Sequence, residues 1–238
     1  MLSEREEAAL LLSKKDRLDA QYAENPWKFF VQQVKTIDES KTVDLKNRDR
    51  VYLWPRHHAY LKETLNVLQN EPLVGIPKSR RMMISWLLSA YFVWDARYHP
   101  NSAIFYMSET EQKSAFAVDR RCMFIEENLR DPAFQLPIKT VKTKTSLVGH
   151  ITYPNDSYIW ALASGGDVLR QYTATKIFID ESEFQDEAPA VVRAALPMVE
   201  NGAQLILASS SDGPIGVLAD LADKCGIRSY RDVKGMVA

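Results

Sequence analysis

Apolar residues along this chain follow two rhythms. One is helical up to about residue 70, and the other mixes short solid apolar runs with longer amphipathic stretches after it. In the first part, Ala9, Leu10, Leu12 and Leu18 fall roughly on one face of a helix running through residue 24, with Ser3 as cap and Glu6 at the capping-box position. Asn25-Pro26 restarts the helical pattern with Asn25 as cap and Pro26 at the first position. Trp27, Phe30, Val31 and Val34 form its apolar stripe. Residues 36–50 (TIDESKTVDLKNRDR) are polar and aperiodic, which predicts a linker or surface loop. A third helix is expected from Pro55 to about Leu68.

From Pro72 the pattern becomes strand, helix, strand, the order of a layered α/β domain. Buried strands are predicted at Leu73–Ile76, Ala103–Met107, Lys176–Ile179 and Gln204–Ala208. Helices are predicted at Ser85–Arg97, from Glu111 to about Leu129, and at Ala188–Val199. Between Lys139 and Ala163, SLVGHITY and SYIWALA read as a hairpin or two strands around the turn Pro154-Asn155-Asp156. No internal repeat or low-complexity tract interrupts the series.

Composition narrows the function classes. The 238 residues carry a net charge of -1, so any DNA contact needs a local basic face rather than bulk attraction. Lys139, Lys142 and Lys144 are the densest basic stretch outside the loop before Ser85. They read either as a strand tracking a DNA backbone or as a solvated hairpin edge. Cys122 and Cys225 lie far apart, which argues against a disulfide framework, and the four histidines have no metal-ligand spacing. Acids precede any apolar run at the N-terminus, and no run approaches the roughly 20 apolar residues of a membrane span. The expectation is a soluble intracellular protein with no membrane partner.

The sharpest chemical signal is KIFIDESEF, an apolar strand ending in Asp180-Glu181. In P-loop ATPases such a strand edge turns an aspartate toward magnesium, and the next acid polarises the attacking water. An apolar strand ending in a surface acid pair is the plainer alternative. Upstream, LVGI followed by PKSRRMMIS and an apolar helix supplies the strand–loop–helix context of a phosphate loop. Aligning its hydroxyl on Ser85 puts Met83 at the second glycine and Ile84 at the lysine of the usual motif, so a standard loop is excluded. Lys78 opens the same loop and is a candidate for the missing cation, while the helix after it aims its N-terminal amides at phosphates.

KSRRMMISW resembles the deviant phosphate loop of large terminase subunits, with Lys78, Arg81 and Ser85 at the lysine, arginine and hydroxyl positions of its K-x-x-R-x-x-x-S/T pattern. Ser108-Glu109-Thr110 after AIFYM, IFIDE, and LILASSSDG resemble the family's later segments, in the family's order. The resemblance implies an α/β P-loop NTPase of the additional-strand catalytic glutamate type, with a mostly parallel central sheet flanked by helices and an N-terminal helical extension. It implies that Lys78, Ser79, Arg80, Arg81, Met82, Met83, Ile84 and Ser85 wrap ATP. Ser85 and Asp180 would hold Mg2+, Glu181 would activate water, and Ser209, Ser210 and Ser211 would couple hydrolysis to movement. Arg170 lies where similar terminases carry an arginine acting on a neighbouring subunit's nucleotide, with Arg81 as a charge within its own loop. In LWPRHHAYLKETL, similar to the family's adenine-binding region, His57 or His58 stands where glutamine is expected; Trp54 or Tyr60 would be the stacking partner.

The family further implies translocation of double-stranded DNA into a capsid, a portal protein and a small terminase subunit as partners, and a homo-oligomeric ring in the cytoplasm of an infected bacterium. Residues 1–50 are expected to form the helical extension and linker, and 51–238 the ATPase domain. The stretch after Ser211 is too short for the family's C-terminal nuclease, so no DNA cleavage is expected from these residues. A helicase-like P-loop ATPase and an inert scaffold of the same fold stay open beside this reading.

Overall fold

The computed structural model describes residues 4–37, 51–79, 82–210 and 216–218, with side chains from residue 12 onward. The chain opens with helix α1 (Glu4–Glu24) and helix α2 (Pro26–Gln33). Asn25 caps α2 as its sequence predicts, its Oδ1 accepting from the Lys28 amide at 2.9 Å. The apolar face differs from expectation in two places. Leu12 is 61% exposed while Tyr22 is buried, and in α2 the buried rings are Phe29 and Phe30.

Of the loop expected at 36–50, Thr36 and Ile37 belong to a strand, and residues 38–50 lie outside the described residues. Strand β1 (Lys35–Ile37) pairs antiparallel with strand β2 (Val51–Leu53), a ribbon that joins chain from both sides of residue 50. Helix α3 (Ala59–Asn70) starts four residues later than Pro55 suggests. Trp54 is the reason: its ring is buried against Phe30 at 5.1 Å and Trp27 at 6.4 Å, and its amide donates to Val34 O. Burying that indole holds the following residues out of the helix.

The α/β domain then runs through strand β3 (Leu73–Pro77), helix α4 (Ile84–Tyr98), strand β4 (Ala103–Ser108) and helix α5 (Glu111–Ala117). One long helix to Leu129 was expected; α5 instead passes through a π-helical turn at Val118–Met123 into the short helix α6 (Phe124–Glu127). Strands β5 (Lys139–Lys142), β6 (Val148–Thr152) and β7 (Tyr158–Ala163) form a three-stranded meander where two strands were expected. Helix α7 (Gly166–Leu169), which has no sequence signal, precedes strand β8 (Lys176–Asp180). Helix α8 (Ala188–Glu200) and strand β9 (Gln204–Ser209) complete the described elements.

Seven strands make one sheet in the order β3-β9-β8-β4-β7-β6-β5. The first five are parallel, and the last two are antiparallel. Strand β9 is inserted between β3, which leads into Lys78, and β8, which ends in Asp180, the strand order expected of the additional-strand class. Alternate residues of the central strands bury into opposite layers: Ile104, Tyr106, Phe178 and Ile206 face α2, α3 and α4, while Phe105, Ile177, Ile179, Leu205 and Leu207 face α8. Both faces of the sheet are covered, which leaves the ends of the strands as the place where ligands bind. Strand β5 lies at the far edge, and Lys139, Lys142 and Lys144 are all exposed there.

Candidate nucleotide site

The carboxyl ends of β3, β8 and β9 meet at one point. The Lys78 amide donates to Ser209 O at 2.8 Å, which extends the β3–β9 pairing one residue past the strand and starts the loop from a fixed place. From there the Lys78 ammonium reaches Asp180 Oδ1 at 3.1 Å and Glu181 Oε1 at 3.0 Å, with Ser85 Oγ at 3.4 Å. Thus the cation from the front of the loop, the hydroxyl at the helix start and the two acids at the end of β8 converge.

Each acid is held by further groups. Tyr106 Oη donates to Asp180 Oδ2 at 3.0 Å, and Gln185 Nε2 donates to the Asp180 carbonyl. Glu181 Oε2 accepts from the Ser210 amide at 3.2 Å, from Ser210 Oγ at 3.2 Å and from Ser209 Oγ at 3.4 Å. Partial burial opposes ionisation of Glu181, but the hydrogen bond and charge of Lys78, with the Ser210 bonds, hold its carboxyl below the usual value. Burial likewise pulls Lys78 down, and the Asp180 charge with the two carboxylate hydrogen bonds more than offsets it, leaving the ammonium above its ordinary value. The Tyr106 phenol is pushed well up, by burial first and then by Asp180. It is therefore a donor that does not titrate in the neutral range.

A cleft of about 880 Å³ opens over this cluster. It is lined by Ser79, Met82, Met83, Ile84 and Ser85, by Glu181 and Ser210, and by Tyr52, Leu53, His57, His58 and Tyr60. Tyr60 Oη donates to Met82 O at 3.3 Å and so pins the loop to α3. His58 packs between His57, at 4.2 Å, and Tyr60, at 5.3 Å. Burial and the neighbouring His57 hold its imidazole below the ordinary value. The region similar to an adenine site thus shares a cleft with the phosphate-loop residues. Trp54 does not take part, being buried in the core beneath the ribbon.

The loop backbone explains how a non-glycine sequence fits. Met83 sits at φ 55°, ψ 12°, the left-handed region, immediately before α4 begins at Ile84. Its position aligns with the second glycine of the standard motif, and glycine is the residue type that adopts this region most readily.

Ser85 and Asp180 offer the hard oxygen donors that magnesium prefers. Both lie within hydrogen-bonding reach of one cation, the Lys78 ammonium, which marks a place where positive charge is accepted. Among the described residues no group of three His, Cys, Asp or Glu side chains could hold a metal by itself. The donor set therefore suits a metal that completes its shell with water and ligand phosphates.

Other expected residues lie elsewhere. Arg170 is exposed beside α7, pairs with Asp167 at 2.8 Å and is not in the cleft wall. Arg80, Arg81 and Ser211 fall outside the described residues. Sequence reasoning missed Tyr106, Gln185 and Arg121, the last in the cleft wall. Only Tyr106 gave a signal, since a tyrosine inside a fully buried strand must find a hydrogen-bond partner.

No family model matches the sequence, and no curated protein matches it. Solved structures do match. The HK97 bacteriophage large terminase aligns with a TM-score of 0.61 at 14% identity over 86% of this chain and 42% of its own. A large terminase from a thermophilic bacteriophage in complex with ADP gives 0.51 at 14% identity, over 74% of this chain and 47% of that one. The ATPase domain of the Thermus phage P74-26 large terminase gives 0.51 at 13% identity, over 67% of this chain and 66% of that one. The match thus spans less than half of the first two chains. No helix among the described residues is long and apolar enough to cross a membrane. In its strand order, its helical layers and its likeness to these structures, the chain has the fold of the ATPase domain of bacteriophage large terminases.

Proposed function

We propose that this chain binds and hydrolyses ATP as the motor domain of a viral DNA-packaging terminase. The observation that carries the reading is the convergence of Lys78, Ser85, Asp180 and Glu181 at the mouth of one cleft, at the end of a sheet with the additional strand in place. Residues 51–238 are the ATPase domain in this reading, and residues 1–50 its helical extension.

The roles follow from the chemistry of each group. Ser85 and Asp180 hold magnesium, which neutralises phosphate charge when bound. The Lys78 ammonium, with three donors, exchanges its carboxylate partners for phosphate oxygens as the nucleotide arrives. Glu181, ionised through the neutral range, then accepts a proton from the water that attacks the terminal phosphorus while the bond to the bridging oxygen of ADP breaks. His58 and the residues around it enclose the base. Ser209 and Ser210 hold the second oxygen of Glu181, so a change at the terminal phosphate is felt at the end of β9. That contact supports a coupling role for Ser209 and Ser210; the same role for Ser211, outside the described residues, rests on the resemblance.

The remaining parts of the reading rest on the resemblance to terminases. They are translocation of double-stranded DNA, work with a portal protein and a small terminase subunit, assembly as a homo-oligomeric ring in the infected cell, and Arg170 acting on the neighbouring subunit. The exposed edge strand bearing Lys139 and Lys142, with Lys144 in the turn after it, is the proposed phosphate-contacting face for DNA.

ATP turnover measured for the wild type, Lys78→Ala and Glu181→Gln tests the reading. Glu181→Gln is expected to keep nucleotide affinity and lose at least about a hundredfold in turnover, and Lys78→Ala to lose both. A wild type that neither binds nor hydrolyses ATP with magnesium, or turnover indifferent to both substitutions, refutes it.

A further inference from the structure

The cluster around Lys78 has one cation against two carboxylates, and a triphosphate with its magnesium adds more negative charge. Beside the loop arginines Arg80 and Arg81, which lie outside the described residues, the cleft wall is a source of further positive charge. Among the described lysine and arginine side chains, those lining the cleft are Lys78 and Arg121.

Two contacts place the turn that carries Arg121 beside the start of α4, the phosphate end of the cleft in the nucleotide reading, and the form of the turn is a third observation. First, its neighbour Cys122 is buried, and the thiol meets the Ser89 hydroxyl, which in turn donates to Ser85 O at 2.8 Å. The π-helical turn is therefore packed one helical turn from the proposed metal ligand. Second, Trp86, the residue after Ser85, packs edge-on against Phe124 at 5.7 Å, directly beyond the π-turn, and lines the cleft together with Arg121. Third, the turn itself is irregular. An extra residue in a helix re-aims the side chains around it, and such π-turns recur at functional sites. This one is anchored at its other end by Asp119 Oδ1, which accepts from the Val148 amide at 3.0 Å.

We infer that the Arg121 guanidinium contacts the terminal phosphate of a nucleoside triphosphate from within the same subunit. This rests on the nucleotide reading and adds to it a cation that the phosphate-loop motif does not contain. Its planar fork suits a phosphoryl group with charge spread over its equatorial oxygens. A group that touches only the terminal phosphate discriminates triphosphate from diphosphate.

The test uses the full chain with Arg121→Gln, which keeps much of the packed stem, and Arg121→Lys, which keeps the charge without the fork. Affinities for a slowly hydrolysed ATP analogue and for ADP, both with magnesium, are measured by calorimetry beside ATP turnover and thermal unfolding. The expected result for Arg121→Gln is analogue affinity down at least about tenfold, ADP affinity within about twofold, and turnover down about a hundredfold or more. Arg121→Lys is expected to recover analogue binding better than turnover. Mixing Arg121→Gln with Glu181→Gln subunits is expected to restore no turnover, since the arginine serves its own site. Equal loss of both nucleotides, wild-type behaviour of either variant, or rescue on mixing overturns the inference. If Arg121→Gln does not fold, Arg121→Lys decides by the same turnover and ADP criteria. Wild-type turnover with indifferent Arg121 variants removes this inference alone, whereas a wild type that binds no nucleotide removes the nucleotide reading with it.

Discussion

Replacing Lys78 by methionine keeps the length and apolar stem of the side chain while deleting the charge that Asp180 and Glu181 share. The cost to the ligand-free protein is set by how deeply each carboxylate is buried. Lys78 is 11% exposed and Asp180 15%, so that contact approaches a buried pair, whose disruption costs about 3–5 kcal/mol. Glu181 is 45% exposed, and solvent screening puts its contact near the surface range of about 0–1 kcal/mol. Water reaches the cleft, so the Asp180 contribution is also discounted, and a loss of about 2 kcal/mol is expected. For a chain of this size that lowers the unfolding midpoint by about 4–8 °C. The pH dependence follows from the two shifts. Glu181 is depressed below 4.5 in the folded state, so its contribution is present above pH 4.5 and fades as pH falls through the lower folded value. Lys78 is raised above 10.5, so its contribution is present below pH 10.5 and fades only as pH rises through the higher folded value. The difference between wild type and Lys78→Met is therefore full at pH 7 and shrinks below pH 4.5. Denaturant unfolding of both proteins by far-UV circular dichroism at pH 7 and at pH 4 measures it. Equal stability at pH 7, or a gap that widens on acidification, refutes the reasoning.

Three further substitutions probe other parts of the site. Tyr106→Phe removes the phenolic donor to Asp180 and is expected to cost about 1.5 kcal/mol by denaturant unfolding. It should also raise the magnesium concentration for half-maximal turnover; an unchanged magnesium dependence would separate Tyr106 from the metal site. Met83→Val places a β-branched residue in the left-handed region and is expected to lose about 1–3 kcal/mol, whereas Met83→Gly is expected to stay within about 1 kcal/mol of wild type. Comparable losses in both would show that Met83 matters for packing rather than for backbone path. If Arg170 acts across subunits, Arg170→Ala and Glu181→Gln chains are each inactive alone, and an equimolar mixture under assembly conditions regains measurable turnover. No regain places Arg170 outside the neighbouring site.

The parallel strands were legible because both of their faces are covered. LVGI, AIFYM, KIFID and QLILA are solid apolar runs for that reason, and the strands extend one residue or none beyond them. Strand β5 carries no such run because it is an exposed edge that buries neither face. The interruption of the helix after Glu111 was illegible for a different reason. A π-turn adds a residue without changing the polar and apolar mix, so apolar spacing alone predicts an unbroken helix. The late start of α3 depends on Trp54 meeting Phe30, a contact between separate segments. For the site, Lys78, Ser85, Asp180 and Glu181 were named from the sequence as the proposed phosphate and metal groups, and the structure brings their side chains together. Tyr106 and Arg121 serve that cluster from strand β4 and the turn after α5. Their roles are set by which strand lies beside β8, which no local pattern encodes.

The backbone adds an independent argument for where function resides. Among the described residues, the non-glycine positions at positive φ are Met83, Asn101, Ser146, Asp156 and Glu181. Asn101, Ser146 and Asp156 have short polar side chains of the kind found in turns, where such conformations cost little. Met83 and Glu181 have no such excuse, and strain of this kind costs about 1–3 kcal/mol each unless the surroundings hold it. Both flank the atoms that meet Lys78. Met83 lies two residues before Ser85, and Glu181 directly follows Asp180. At Glu181 the left-handed turn sets its carboxylate between Lys78 and the Ser210 amide, with its own amide on Asp180 Oδ1. At Met83 it turns the chain into α4 so that Ser85 faces the cluster. Backbone strain of this kind persists where the site it shapes is used, so Met83 and Glu181, both lining one cleft, support the nucleotide reading despite the departure of PKSRRMMIS from the glycine-rich motif.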